Sequence, residues 1–116
     1  MSGEEAAGIQ RDGNWVNAAW SGDIDISNAT GLEQAALGEM FNSDNGLTID
    51  LGLVTYIDSA GIRSLLNIRR LLEDRQQRLL LVVPSDSVLR KALEIGGVIA
   101  VISVYSSMES AGNHRA

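Results

Sequence analysis

Val54-Thr55-Tyr56-Ile57-Asp58-Ser59-Ala60-Gly61-Ile62-Arg63-Ser64-Leu65-Leu66 reads as the end of a strand, a sharp turn and the start of a helix. A single hydroxyl, Ser59, sits at the junction, preceded by an acid and followed by the two smallest side chains. Downstream, Ile62, Leu65, Leu66, Ile68 and Leu72 fall within about 160° at helical spacing, so that face belongs in a core. Arg63, Asn67, Arg70, Asp74 and Arg75 lie on the other side, with Leu71 among them. Leu71 is either an isolated surface leucine or a partner contact. Arg69 interrupts the apolar stripe, where its stem can run along the rim.

The junction has a plain role and a sharper one. In the plain role Asp58 or Ser59 caps the helix, worth about 1 kcal/mol. In the sharper one Ser59 is a phosphorylation switch. Ala60 and Gly61 leave its hydroxyl open to a kinase. Unpaired N–H groups and the dipole at the helix start favour the added negative charge. Asp58 would repel the phosphate, and a partner packed over the site would meet bulk and charge.

Working outward, Leu47, Ile49 and Leu51 alternate with polar residues and form a strand that continues extended to Ile57. Before it, Asp12-Gly13 separates two strand-like pieces, which predicts a hairpin with a type I′ turn. A helix follows from about residue 28 to 41, with Leu32, Ala35, Ala36 and Met40 inward. After the central helix (59 to about 76), Leu79 to Val83 is an apolar run that fits a strand buried on both faces. Pro84-Ser85-Asp86 opens a helix to about Ile95, capped by Ser85 or Asp86, and Gly96-Gly97 stops it. Val98 to Val104 reads as the last strand or its approach, and 106–111 as a short helix. The order β-β-α-β-α-β-α-β implies an α/β fold with a mostly parallel mixed sheet and an antiparallel N-terminal hairpin. Residues 1–7 are expected to be disordered, 8–111 to form one domain, and 112–116 to fray.

Composition narrows the function classes. The chain has 116 residues, 45% apolar, and no cysteine, which removes disulfides and thiolate chemistry. No apolar run approaches the roughly 20 residues of a membrane span, and the start lacks a signal-peptide pattern, so a cytoplasmic protein is expected. A net charge of −6 argues against direct nucleic-acid binding. Through Asp58 there are ten acids and one base; from Ser59 on there are eight bases and five acids. Gly-x-Ser-x-Gly is missing, and the only histidine, His114, is near the end, which disfavours a serine hydrolase. Asp23 and Asp25 alternate on an extended piece, but two carboxylates make a poor cation site. Trp15 and Trp20 should face opposite sides of their strand, one in the core and the other at a surface or interface.

Three segments resemble the STAS domain, in particular the bacterial anti-sigma factor antagonists. Gly22-Asp23-Ile24-Asp25 is similar to the family's Gly-Glu-Leu-Asp. Leu51 through Leu66 is similar to its core motif around Asp-Ser-(Ser/Thr/Ala)-Gly. Val88 through Gly97 is similar to its late helix. The resemblance implies helices mainly on one face of the sheet and a monomer without a cofactor. It implies a partner, an anti-sigma factor that is an ATP-using serine kinase, with the sigma factor freed on binding. The kinase phosphorylates the serine after the motif aspartate, here Ser59, and a serine phosphatase resets it. Asp25 matches an aspartate near the docking surface, and the candidate docking residues are Asp23, Asp25, Asp58, Ser59, Ala60, Gly61 and Arg63. Ala60 stands where many relatives carry a second hydroxyl, and Asp23 where glutamate is usual. STAS domains also serve as scaffold pieces of stress-signalling complexes or as accessory subunits of lipid ABC transporters, which gives the alternative function.

Overall fold

The computed structural model describes residues 7–115. The acidic start lies outside them, apart from Ala7. In chain order the elements are β1 (Ala7–Asp12), β2 (Trp15–Ile24), α1 (Ala29–Gly38), β3 (Gly46–Ile57), α2 (Ser59–Asp74), β4 (Arg78–Val82), α3 (Leu89–Ile95), α4 (Val98–Val101), β5 (Ser103–Tyr105) and α5 (Met108–Gly112). The five strands lie in the order β1-β2-β3-β4-β5. β1 and β2 are antiparallel and every other neighbour is parallel, as the alternation of strands and helices requires. The hairpin differs in detail from the expected I′ turn. Asp12 pairs with Trp15, so Gly13 and Asn14 are the central residues, and only Gly13 has positive φ, at 61°. That is the pattern of a II′ turn, which places glycine first.

The main core lies between one sheet face and the helices. Val16, Ala18, Trp20, Leu47, Ile49, Leu51 and Leu81 meet Leu32 and Ala36 of α1, Leu65, Ile68 and Leu72 of α2, and Leu89 and Leu93 of α3. Of the predicted inner face of α2, Leu65, Ile68 and Leu72 are fully buried, while Ile62 and Leu66 are half-buried at its edge. Leu71 is half-buried as well, so it does not stand out as an exposed leucine among the arginines.

The second sheet face is covered by the C-terminal segment. Trp15, Leu80 and Val82 pack with Ala111, Tyr105 and Met108. Both tryptophans are therefore buried: they face opposite sides, and α5 removes the second from solvent. Residues 113–115 continue this cover. The His114 ring stacks on Tyr105 at 4.7 Å between centroids. The Arg115 guanidinium donates to Asp12 at 2.9 Å and to Asn17 at 3.0 Å, and lies 5.3 Å over the Trp15 ring. The expectation of a tail that frays from residue 112 does not fit these contacts.

Two further elements depart from the sequence reading. The helix after Pro84 starts later, at Leu89, and the side chain that bonds its first turn is Ser87, whose Oγ accepts from the Leu89 N–H at 3.1 Å. Val98 to Val104 is a short helix followed by a three-residue strand. Gly97, at φ 81°, turns the chain into that helix, and Val98 and Ile102 are both buried at i, i+4 spacing.

Candidate functional site

β3 shapes the site. Its buried apolar side chains are Leu47, Ile49 and Leu51 at the usual interval of two, then Val54 and Ile57 at intervals of three. The ladder with β2 explains the change. Ala19 pairs with Asp50 but Ser21 with Leu53, and Gly22 pairs with Val54 but Asp23 with Tyr56. At each step β3 spends one residue more than β2, the signature of a bulge. Two exposed residues then separate each buried pair, and Leu53 and Tyr56 stand in solvent at 73% and 53% exposure.

Ile24 pairs with Ile57, so the residues that follow, Asp25 and Asp58, leave the same end of two neighbouring parallel strands. The Asp58 N–H donates to the Ile24 carbonyl at 3.1 Å and ties the two turns together. Carboxyl ends of parallel strands are where α/β sheets commonly present their sites.

Asp58 is the N-cap of α2. Its Oδ1 accepts from the N–H groups of Ala60 at 2.9 Å and Gly61 at 3.1 Å. The sequence left the cap open between Asp58 and Ser59, and the structure assigns it to Asp58. Ser59 is thereby released: it is exposed, and its hydroxyl has no partner among the described residues. Gly61 is buried where α2 meets the strand ends, because a Cβ there would lie 2.5 Å from Ile57 Cγ1 and 2.9 Å from Ile24 Cγ2. A glycine is needed for α2 to start this close to the sheet.

The β2–α1 turn is built on Asp25. Its Oδ1 accepts from the Ser27 hydroxyl and from the Ser27 N–H, and these bonds hold the carboxyl below its usual pKa, the hydroxyl contributing most. Asn28 Nδ2 donates to the Asp23 carbonyl at 2.8 Å, and Thr55 Oγ1 donates to Asp23 Oδ1 at 2.9 Å. The two carboxylates thus have separate hydroxyl partners, and no group of three metal-ligating side chains occurs among the described residues. Between α1 and α2 runs an open groove of about 810 Å³, bordered by Ile26, Thr30, Glu33, Ala60, Arg63 and Arg70 among others. Ile26, which borders it, is 83% exposed. Asp23, Asp25, Asp58, Ser59, Ala60, Gly61 and Arg63 are therefore gathered at one end of the sheet, with Gly61 facing inward. Ile26, Leu53 and Tyr56 were not singled out from the sequence. A strict alternation cannot expose both Leu53 and Tyr56, and only the two bulges do so.

The fold and this end of the sheet define a class: the family model for the STAS domain matches residues 10–111. The chain belongs to the STAS domain family. It is 31% identical over 94 residues to a Bordetella bronchiseptica protein described as the anti-sigma factor antagonist BtrV, covering 81% of this chain and 80% of that one. Among solved structures, the Bacillus cell fate determinant SpoIIAA in its phosphorylated form superposes with a TM-score of 0.70 at 19% identity, covering 93% of this chain and 97% of that one. A sulfate transporter family protein from Wolinella succinogenes superposes with a TM-score of 0.77 at 20% identity, covering 91% and 88%. No helix among the described residues is long and apolar enough to cross a membrane.

Proposed function

We propose that this domain is an anti-sigma factor antagonist that works by partner switching. Unphosphorylated, it docks the Ser59 end of its sheet on an anti-sigma factor that is itself an ATP-using serine kinase, and a sigma factor is released. The kinase then transfers the γ-phosphoryl group of ATP to Ser59. The Ser59 Oγ–P bond forms as the bond to ADP breaks, and the hydroxyl proton passes to a base on the kinase. The complex separates, and a serine phosphatase restores the hydroxyl. The domain acts as a cytoplasmic monomer and performs no chemistry of its own.

The observation that carries this reading is the state of Ser59. Its neighbour Asp58 caps the helix, which leaves an exposed, unbonded hydroxyl just beyond the end of β3, a strand that also exposes Leu53 and Tyr56, while Ile26 is exposed in the neighbouring turn. Apolar anchors ringed by charge are what a protein partner needs, and a phosphate placed among them adds about −1.5 to −2 charges. The relative described as an anti-sigma factor antagonist supports the same reading.

The test is calorimetry with a candidate anti-sigma factor kinase from the same organism, in the presence of ADP. Wild type and Ser59→Ala are expected to bind, and Ser59→Asp to bind at least about tenfold more weakly, a loss of about 1.4 kcal/mol. Equal binding by all three would remove Ser59 from the interface. Binding by none would favour the second reading, a scaffold or transporter-accessory domain, for which the fold shared with the sulfate transporter family protein speaks.

A further inference from the structure

We infer that Arg63 captures the phosphate once Ser59 is phosphorylated, so that modification withdraws a cation from the docking face as well as adding an anion to it. The inference rests on Ser59 being the phosphoacceptor.

The sequence suggests that first-turn amides would receive the phosphate, but three of the four are engaged. The Asp58 N–H bonds the Ile24 carbonyl, and the Ala60 and Gly61 N–H groups bond the Asp58 carboxylate. Only the N–H of Ser59 itself remains, and the Asp58 carboxylate beside it repels a second anion. The phosphate therefore needs its counter-charge from a side chain.

Of the arginines on α2, only Arg63 is within reach and free. It lies four residues after Ser59, the spacing at which side chains on a helix meet, and helical side chains tilt back towards the N-terminus, here towards Ser59. Arg63 is exposed and has no hydrogen-bond or ion-pair partner among the described residues. Arg70 is about 16 Å further along the helix axis than Ser59 and is bonded to Asn67. Arg69 donates to the Val101 carbonyl and pairs with Glu73. The guanidinium fork of Arg63 matches two phosphate oxygens, a geometry that favours the dianion. Glu33 lines the same groove as Arg63, and the other acids at this end of the sheet are Asp58 at the start of α2, Asp25 in the β2–α1 turn and Asp23 at the end of β2. Of these, Glu33 is held by Asn67 and Asp25 by Ser27. Before phosphorylation Arg63 is available to a partner. Afterwards it is turned onto the phosphate.

Phosphoserine can be placed at position 59 during translation, which bypasses the kinase. ³¹P NMR then follows the second ionisation of the phosphate, near pH 6. In Arg63→Gln that ionisation is expected to rise by about 0.3 pH. It should stay unchanged in Arg70→Gln, and the difference should shrink at about 1 M salt, where the Debye length is about 3 Å. Near-ultraviolet circular dichroism of each variant checks the fold. An Arg63→Gln protein that titrates with wild type, or an equal shift in Arg70→Gln, would overturn the inference. Because no kinase is used, a failure here leaves the proposed switch standing, and a kinase that ignores Ser59 would leave the phosphate–arginine pair intact.

Discussion

Gly61→Val is expected to destabilise the domain by about 3 kcal/mol and to lower its melting temperature by about 10 °C. Two effects compete at this position. Leaving glycine improves helix propensity, by up to about 1 kcal/mol for alanine and less for a β-branched residue. Against it, the new Cβ would lie 2.5 Å from Ile57 Cγ1 and 2.9 Å from Ile24 Cγ2. Neither contact is with the tip of a flexible chain. Both isoleucines are β-branched and buried, so the first turn of α2 must move instead. Overpacking costs about 1–3 kcal/mol, and the two methyl groups of valine put this case at the upper end. Alanine should show the competition as a smaller net loss, about 1 kcal/mol. Thermal melts of the three proteins check the order Gly, Ala, Val. A valine variant as stable as wild type would mean that the close approach of α2 to the strand ends is not what this glycine serves.

The second large effect lies at the other end of β3. Asp44, only 4% exposed, sits just before that strand and holds three elements together. Its carboxylate takes both arms of Arg11 from β1, at 2.6 and 3.1 Å, and the Phe41 N–H at 2.7 Å. Arg11 also donates to the Glu39 carbonyl and lies 4.5 Å over the Phe41 ring. Gln77 closes the same loop by donating to the carbonyls of Phe41 and Asp44. Asp44→Asn removes the charge and one acceptor oxygen from this set. Arg11 retains some exposure to water, which tempers the loss to about 2 kcal/mol. The sign of the pH dependence follows. The hydrogen bond from Arg11 holds the Asp44 carboxyl below its ordinary value of 3.8. Its contribution is therefore complete above that value and is lost as pH falls through the folded pKa. Urea midpoints of wild type should drop more steeply than those of Asp44→Asn as the pH is lowered below about 4. Parallel curves would show that this pair does not carry the acid sensitivity.

The fold was legible wherever one periodicity ruled. The central helix announces itself because its apolar residues hold helical spacing for three turns, and β4 because a short apolar run is followed by proline. The family likeness rested on residues whose identity matters locally: Asp58 as cap, and Gly61 against two isoleucines. The misreadings have physical causes. Val98 to Ile102 is apolar throughout, so period alone could not separate helix from strand; only the structure shows that Val98 and Ile102, four residues apart, are the buried pair. Trp15 is buried because a segment nearly 100 residues later folds back over it and Arg115 covers its ring, a contact no local pattern encodes. At the proposed site, Asp23, Asp25, Asp58 and Ser59 were expected from motifs, and Arg63 from its position on the outer face of the central helix. Leu53 and Tyr56 were missed, because their exposure depends on register shifts between two strands more than twenty residues apart, and Ile26 because it lies in the turn after β2, where no periodicity marks it.

The central claim is that Ser59 is the single phosphoacceptor of a partner-switching domain. Its most direct test is incubation of the protein with its kinase and ATP, followed by intact-mass and peptide mass spectrometry. One added phosphoryl group is expected in wild type, mapped to Ser59 and absent from Ser59→Ala. Phosphate that persists in Ser59→Ala, or that maps to another residue of the wild-type protein, would contradict the account.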